Sequence, residues 1–295
     1  MRKIFIFGVG YSARVIARAL QAQRYVVSGT TRDTAKMAEL EAGAIAISHF
    51  SGNAPMENAN AALRGTGYLL VSVQPDTDTG DDAVLRHHGR DLAALTGPGG
   101  SLRRIAYLST TAVYGDQGGA WIDETTAVAP RSARARQRCA AEQSWRDFAS
   151  ETGIELDIYR LSGIYGPGRN PIVGLRSGKA RAIVKPGHVF NRIHVEDIAA
   201  CVAAGFARGL PGAVYNVADD EPAPPQDVMA HAATLCGLPP PPLEDFATAD
   251  MTPMARSFYS ETKRIRNTMI KSRLGVQLRY PTYRQGLAAL VKAGP

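Results

Sequence analysis

The chain has 295 residues, of which 45% are hydrophobic, and a net charge of +7. This is enough to bury the core of one large domain, or of a nucleotide-binding domain with a smaller companion. No apolar segment approaches the roughly 20 residues that a membrane span needs, and Cys139, Cys201 and Cys236 are too far apart for a disulfide framework or a metal site. We expect a soluble, cytoplasmic protein whose positive charge suits an anionic ligand, although a basic surface that aids solubility explains the charge as well.

The first half of the chain alternates short apolar runs with helical patterns. Strands are predicted at residues 3–8, 25–32, 44–50, 68–73, 103–110 and 154–162. Helices are predicted at 13–23, 34–43, 81–95 and in an arginine-rich segment that ends at about residue 151. Because strands that alternate with helices form a parallel sheet covered on both faces, this order predicts an α/β fold with a Rossmann-type, doubly wound parallel sheet.

The pattern changes after Gly163. We predict a loop at 163–171, a strand end with a turn and a helix in 190–209, a strand and turn in 213–225, a helix at 226–236, a proline-bounded linker at 237–246, and helices at 263–276 and 282–291. The predicted organisation is a Rossmann domain of residues 1–162, to which 188–218 return, and a small C-terminal substrate-binding lobe of 163–187 and 219–295.

The first strand leads into the motif G-x-G-x-x-A, formed by Gly8, Gly10 and Ala13 in FGVGYSAR. Glycine at 8 permits the tight turn, and glycine at 10 lets the backbone approach a pyrophosphate at the helix N-terminus. Glycine turns also join strands to helices in proteins that bind no nucleotide. Here the motif follows a strand and opens a helix, as a dinucleotide site requires, and it therefore predicts nucleotide binding.

The end of the second strand distinguishes NADP from NAD. A site for NAD places Asp or Glu about 20 residues beyond the glycines, whereas this strand ends in Thr30, Thr31 and Arg32. Asp33 lies beyond the strand end, and an arginine can form paired hydrogen bonds with a 2′-phosphate, although Arg32 could also be ordinary loop surface. We predict NADP, with NAD as the weaker alternative. The predicted cofactor-binding residues are Gly8, Gly10, Tyr11, Ser12, Ala13, Thr31, Arg32, Ser72 and Ser109.

Several segments together resemble the extended short-chain dehydrogenase/reductase superfamily, which includes nucleotide-sugar epimerases and dehydratases. YLSTTAVYGD resembles its fifth strand with the catalytic Ser or Thr, YRLSGIYGPG and RIHVEDIAA resemble later signatures, and YNVADDEP resembles the strand that follows. The resemblance covers nearly the whole chain and is closest to an atypical epimerase/dehydratase-like subgroup. It implies a Rossmann fold, a nicotinamide cofactor and oxidoreductase or isomerase chemistry, with Thr110 as the catalytic Ser/Thr and Tyr114 in the substrate pocket.

One helix departs from the family pattern. The family's catalytic Tyr-x-x-x-Lys follows the DE…P segment, and alignment on Pro130 and Glu142 places its tyrosine at Arg134 and its lysine at Arg138. Arginine stays protonated and cannot exchange a proton with a substrate hydroxyl, but it can bind an anion or stabilise a developing oxyanion. Nucleotide-sugar members often carry an asparagine where this chain has Gly163, which argues against a nucleotide-sugar substrate.

Helical phase places Arg134 and Arg138 on the apolar face of this helix and Arg136 on the opposite face. Buried or half-buried arginines need anionic partners. These partners are either a ligand or protein carboxylates, for which the sequence offers Asp116, Asp123, Glu124 and Glu142.

Few other residues suggest chemistry. Tyr165 follows a predicted strand and could approach the site, whereas His194 is expected to pack and hydrogen-bond rather than catalyse. No set of His, Cys, Asp or Glu has metal-ligand spacing, and no Ser-His-Asp order or nucleophile elbow is present.

Three functions are compatible with these observations. The first is an NADP-dependent oxidoreductase or isomerase that acts on a small molecule, which can be anionic, with Thr110, Tyr114, Arg134 and Arg138 at its catalytic site and with a proton from Tyr114, Tyr165 or water. The second is a catalytically silent NADP-binding sensor or scaffold. Nucleic-acid binding is the third and weakest, because no basic and aromatic recognition motif is present. The resemblance also implies a homodimer through the arginine-bearing helix and its neighbour.

Overall fold

The computed structural model describes residues 2–76 and 79–294 and contains a seven-stranded parallel central sheet within those residues. The strands are β1 (Arg2–Phe7), β2 (Tyr25–Thr31), β3 (Ala46–His49), β4 (Tyr68–Val71), β5 (Arg104–Thr110), β6 (Trp121–Ile122), β7 (Glu155–Leu161), β8 (Gly163–Tyr165), β9 (Ala182–Val184), β10 (Arg192–His194), β11 (Val214–Val217), β12 (Leu243–Asp245) and β13 (Arg264–Ile265). The central sheet has the order β11-β7-β5-β4-β1-β2-β3. This arrangement confirms the predicted fold class.

Helices cover the sheet and build the second part of the molecule. They are α1 (Tyr11–Ala22), α2 (Met37–Ala42), α3 (Ala59–Leu63), α4 (Ala83–Ala93), α5 (Ala133–Thr152), α6 (Pro171–Arg176), α7 (Val195–Arg208), α8 (Pro225–Cys236), α9 (Pro253–Ser257), α10 (Thr268–Ser272) and α11 (Tyr283–Ala293). Short 3₁₀ helices span Thr34–Lys36, Thr111–Tyr114 and Phe258–Ser260.

Both faces of the central sheet are buried, which explains why its strands read as nearly continuous apolar runs. In β1, Ile4 and Ile6 face one core, which also contains residues of α1 and α7. Phe5 and Phe7 face the other core, where α5 contributes Trp145. Because successive strand residues point to opposite faces, one six-residue strand supplies both cores.

Segments after β7 form a lobe with a small core of its own, to which β8, α8 and α11 contribute, whereas α7 and β11 belong to the central sheet and its core. Three two-stranded parallel sheets, β8–β10, β9–β12 and β6–β13, bring distant segments together. Residues 268–278 lie within the range predicted for the lobe, yet Ile270 and Leu274 pack into the core of the central sheet. The chain therefore passes between the two parts more often than the predicted boundaries describe.

Three local predictions are wrong. Residues 263–276 are not one helix, because Arg264 and Arg266 donate backbone hydrogen bonds to the β6 region as β13, and only the short α10 follows. The segment 237–246 contains β12, and 163–171 contains β8. In each case a strand forms by pairing with a segment far away in the sequence, which local periodicity does not reveal.

Candidate functional site

A cleft of about 2090 Å³ runs between the lobe and the carboxyl ends of β1, β2, β4 and β5. It includes the point between β1 and β4 where the strand order reverses, which is where open α/β sheets bind ligands. Most of the predicted site residues line this cleft: Gly8, Gly10, Tyr11, Ser12, Thr31, Arg32, Ser72, Ser109, Thr110, Arg134 and Arg138. Two predicted residues, Ala13 and Tyr114, are fully buried elsewhere.

The turn between β1 and α1 leaves room for an anion. Gly8 has φ +87°, and a Cβ there would lie 3.0 Å from Val73 Cγ2, whereas a Cβ on Gly10 would meet nothing within 4 Å. Helix α1 starts after Gly10 without a side-chain cap and without an acidic residue in its first turn. Its first backbone N–H groups are thus available to a pyrophosphate, and the residues of this turn fit a dinucleotide.

The residues after Gly10 have different roles. Ala13 is completely buried in the core beneath α1, where its small side chain permits close packing of the helix on the sheet. The Tyr11 hydroxyl donates a hydrogen bond to Pro167 O at 3.0 Å, and Arg169 lies over the Tyr11 ring. Tyr11 therefore connects the glycine turn to the lobe.

Two charged residues follow the end of β2, the exposed Arg32 and Asp33, which has hydrogen-bond and ion-pair partners. Asp33 accepts a hydrogen bond from Ala35 N at 3.1 Å and forms an ion pair with Lys36 at 2.9 Å, an arrangement that lowers the pKa of Asp33. Arg32 is exposed and lines the cleft. Both side chains line the cleft: Arg32 has no carboxylate partner among the described ion pairs, whereas Asp33 is paired with Lys36.

The two arginines in place of the family's tyrosine and lysine line the cleft, whereas Arg136 does not line it and donates to Arg131 O. Arg134 is more exposed than its predicted inward position implied, and it donates a hydrogen bond to Gln74 Oε1 at 3.3 Å. Half-buried Arg138 donates to Tyr107 Oη and to Leu108 O, both at 3.0 Å.

Neither arginine forms an ion pair with a carboxylate in the part of the chain that the structure describes. Of the four predicted carboxylates, Asp116 pairs with Arg131 at 3.4 Å, and Asp123 accepts from Thr125. Glu124 accepts a hydrogen bond from the Asn216 backbone N–H. Burial raises the pKa of the Asp82 carboxyl group, and the charge of nearby Arg138 opposes this shift without forming an ion pair with it.

Glu142, the fourth carboxylate, forms a buried network that the sequence pattern did not reveal. It accepts from Arg160 Nε at 3.0 Å and from Arg160 Nη2 at 2.6 Å, and the Ser109 hydroxyl donates to Glu142 Oε1 at 2.5 Å. Ser109 borders the cleft, but its hydroxyl is directed into this network. The sequence position of Ser109, next to Thr110, did not indicate that its hydroxyl group bonds to Glu142.

Tyr114 lies outside the cleft. Its hydroxyl donates to Asn216 Oδ1 at 2.8 Å, the Arg160 guanidinium lies 4.7 Å from its ring centre, and burial raises its pKa. Thr110 is half-buried at the cleft, where its hydroxyl accepts from Ala112 N at 3.2 Å. Of these two residues, the structure brings only Thr110 to the place where a substrate would bind.

Tyr165 and His194 pack against each other at the base of the lobe, with ring centres 5.1 Å apart. Burial raises the pKa of Tyr165 and lowers that of His194 to about 4. His194 accepts a hydrogen bond from Glu196 N and caps α7. The packing role expected for His194 agrees with this placement.

The lobe side of the cleft contains charged residues that the sequence analysis did not single out. Arg192 and Lys263 both line it, and Lys263 is paired with Glu261 at 2.8 Å. Arg192 is the first residue of the RIHVEDIAA segment, but its charge alone did not mark it as part of a site.

Among residues 2–76 and 79–294, no group of three or more His, Cys, Asp or Glu is arranged to hold a metal ion. None of the helices in the described part of the chain has the length and apolar character to cross a membrane.

The sequence model of the NAD dependent epimerase/dehydratase family matches residues 4–218, which is more than two thirds of the chain. The chain belongs to this family. The match extends from the third residue of β1 to the end of β11 and so covers nearly the whole central sheet. This finding confirms the resemblance seen in the sequence.

Three proteins of similar length align with almost the whole chain. A functionally unknown protein from Silicibacter pomeroyi has a solved structure that is 50% identical, with a TM-score of 0.91 and 99% of each chain covered. Protein YeeZ of Escherichia coli is 25% identical over 95% of this chain and 97% of its own. A 3-diazoavenalumate denitrifying reductase from Streptomyces is 24% identical over 97% and 99%.

Solved epimerase-family structures with bound cofactor share the fold but differ in the cofactor. UDP-glucuronic acid 4-epimerase from Bacillus cereus contains NAD and has a TM-score of 0.79 at 14% identity, with 98% of this chain and 96% of the other covered. The human epimerase family protein SDR39U1 contains NADPH and has a TM-score of 0.75 at 14% identity, with 98% and 99% covered. At this identity the similarity concerns the fold, and it leaves both cofactors open for the epimerase/dehydratase-family protein described here.

Proposed function

We propose that this epimerase/dehydratase-family protein is an NADPH-dependent reductase of a small anionic molecule. The observation that carries the proposal is the pair Arg134 and Arg138, which line the cleft in place of a proton-exchanging tyrosine and lysine. An oxidation that removes an alcohol proton needs a base, which arginine cannot provide. A reduction needs a site that binds the substrate and stabilises negative charge, which arginine supports.

The residues at the end of β2 support NADP over NAD. Arg32 faces the cleft without a described carboxylate partner, and two paired cations border the same region, Arg14 with Glu39 and Lys36 with Asp33. Asp33, the competing residue, is occupied by Lys36 and Ala35 N. A cluster of basic side chains attracts a 2′-phosphate, and a ribose hydroxyl would find no free carboxylate there.

When bound, NADPH would supply a hydride to an electrophilic carbon or nitrogen of the substrate. Arg134 and Arg138 would stabilise the negative charge that develops on the substrate as it accepts the hydride, and the Thr110 hydroxyl can donate a hydrogen bond. Tyr114 is buried away from the cleft, and the Tyr165 hydroxyl is buried against Gly286, so the proton comes from water in the open cleft.

A cofactor titration followed by an activity panel tests this proposal. NADPH and NADH are titrated by fluorescence, and NADPH consumption is then followed with carbonyl, imine, diazo and nucleotide-sugar compounds, each with and without an anionic group. The proposal expects tighter binding of NADPH than of NADH, and turnover of anionic compounds with NADPH. Absence of cofactor binding, or turnover by alcohol oxidation alone, would contradict it.

The second candidate is an NADP-binding sensor without turnover. It is favoured by the burial of Tyr114 and by the presence of Arg134 and Arg138 at the positions of the family's catalytic tyrosine and lysine. In the same experiment it expects tight NADPH binding and no NADPH consumption with any compound of the panel. The two candidates thus share the binding result and differ in the activity result.

A further inference from the structure

We infer that Arg192 binds the carboxylate of the substrate and that the apolar remainder of the substrate lies against Phe190, Met254 and Phe258. The substrate class is thus an amphipathic monocarboxylate, with one anionic group next to an aryl or alkyl portion. That the bound molecule is a substrate rests on the proposed reductase function. Its binding at this site can be measured without turnover.

Arg192 is a half-buried cation whose hydrogen-bond partners are neutral. Its Nη1 donates to Phe190 O at 3.0 Å and to Ala223 O at 3.2 Å, and its guanidinium lies 5.9 Å from the ring centres of Phe190 and Tyr283. It forms no ion pair with a carboxylate of residues 2–76 or 79–294. Arg160, by contrast, is neutralised by two hydrogen bonds with Glu142.

Asp219 is the acidic neighbour of Arg192, but it does not supply the missing negative charge. Its side chain is buried, Oδ2 has no hydrogen-bond partner among the described residues, and burial raises its pKa to about 8. Its other carboxyl oxygen accepts a hydrogen bond from Glu221 N, and no ion pair joins this carboxyl group to the Arg192 guanidinium among the described residues. A cation that is partly removed from water and surrounded by neutral groups is stabilised by a ligand anion.

An apolar pocket of about 630 Å³ adjoins this cation. Its walls include Ile183, Phe190, Met251, Met254, Phe258 and Tyr259. Phe190, Met254 and Phe258 also line the main cleft, so the pocket and the cleft are continuous. Met254 is 61% exposed and Phe258 is 60% exposed, and large apolar side chains clustered at a pocket mouth mark a binding site.

Phe190 joins the two halves of the proposed site. Its carbonyl oxygen holds the Arg192 guanidinium, and its ring forms part of the pocket wall. Phe190 thus contacts both Arg192 and the pocket, whose lining also includes Arg181 and Asp250, and one amphipathic ligand can reach both places. A single guanidinium with two aromatic neighbours favours a monoanion over a phosphate dianion, which would need further donors.

Binding of a matched pair of probes tests the inference. The affinities of 4-phenylbutyrate and its neutral amide are measured by calorimetry, with the protein alone and with NADP⁺. We expect the carboxylate to bind at least tenfold more tightly than the amide, and Arg192→Gln to abolish that preference. Arg284→Gln is the control, because Arg284 also lies over the Tyr283 ring but is paired with Glu221 and does not line the cleft.

A second variant tests the apolar half without disturbing the fold. Phe258→Ser changes an exposed side chain and should weaken 4-phenylbutyrate about tenfold while leaving the weak binding of acetate unchanged. Equal affinity of the carboxylate and the amide for the wild-type protein would overturn the inference, even if Arg192→Gln fails to fold. Absence of NADPH binding would overturn the reductase proposal alone, because the probes are also compared in the protein without cofactor.

Discussion

Glu142 and Arg160 form a bidentate ion pair between α5 and β7, with distances of 3.0 and 2.6 Å. Both residues are at least 95% buried, and Ser109 at the end of β5 donates to the same carboxylate. The pair therefore fixes α5 against the sheet ends one helical turn beyond Arg138. Through this contact, a buried network holds the two cleft arginines in place.

Removal of the carboxylate should destabilise the protein strongly. Glu142→Ala leaves Arg160 charged and unpaired in the core, which typically costs about 3–5 kcal/mol. Urea unfolding measures the loss of free energy of unfolding. Glu39→Ala is the control, because it breaks the exposed pair with Arg14 and should cost about 0–1 kcal/mol. Equal effects of the two variants would show that the buried pair does not stabilise α5.

The two glycines of the first turn should respond differently to alanine. Gly8→Ala forces an L residue into φ +87° and brings its Cβ close to Val73, so we expect a loss of about 1–3 kcal/mol in stability. Gly10→Ala meets no protein atom and should cost less than about 1 kcal/mol. It should nevertheless weaken NADPH binding at least tenfold, because the methyl group occupies space next to the pyrophosphate. Unchanged NADPH affinity in Gly10→Ala would place the pyrophosphate elsewhere.

The central sheet was predictable because its strands are buried on both faces and alternate with amphipathic helices. The short strands β8, β12 and β13 were not, since each is two or three residues long and pairs with a segment far away in the sequence. The same limit applies to the site. The glycine turn and Arg32 follow strands directly, whereas the partners of Ser109, Tyr114 and Arg192 are set by tertiary packing.

Helical phase identified the face of Arg134 and Arg138 but not their burial. Arg134 lies in the first turn of α5, where the helix projects past the sheet, so a position on the inward face is still exposed there. Arg138, one turn later, reaches the end of β5 and is half-buried. Helical phase gives the direction of a side chain around the helix axis. It does not show at which residue the helix leaves the core, and so it does not predict burial.

Arg32 should control the choice between the two cofactors. Arg32→Gln removes a charged partner of the 2′-phosphate, so we expect NADPH affinity to fall about tenfold or more while NADH affinity stays unchanged. Fluorescence titration measures both. Arg90→Gln on the exposed side of α4 removes the same charge away from the cleft and should leave both affinities unchanged. An equal loss for NADPH and NADH in Arg32→Gln would argue against a 2′-phosphate contact.

Restoring the family pair should restore the family chemistry. The double variant Arg134→Tyr, Arg138→Lys places a proton-exchanging tyrosine and a lysine in the cleft, and we expect it to gain NADP⁺-dependent oxidation of alcohols. The single variant Arg138→Lys should remain inactive in that assay, because it still contains no proton-exchanging tyrosine at residue 134. Assays of alcohol oxidation and of cofactor affinity separate a catalytic gain from altered binding. If the double variant binds NADP⁺ but oxidises no alcohol, the arginines are not what disables this chemistry.

His188 should make the protein less stable in acid. Its side chain is buried between Phe190 and Tyr259, both ring nitrogens lack partners among the described residues, and burial lowers its pKa from 6.5 to about 4. Below about pH 6.5 the unfolded chain binds a proton at His188 that the folded protein does not, so stability falls as the pH decreases toward 4. At pH values well above 6.5, His188 contributes no pH dependence.

The variant His188→Phe isolates this effect because phenylalanine needs no hydrogen bond in the same aromatic surroundings. Between about pH 8 and pH 5, the wild-type protein should lose about 2 kcal/mol more stability than the variant, as measured by urea unfolding at each pH. The neighbouring charged groups Asp116, Lys185, Arg192 and Lys263 are present in both proteins, so their titration largely cancels in the difference. Parallel stability curves over this range would mean that His188 is protonated in the folded protein, and the apolar surroundings described for it would then be wrong.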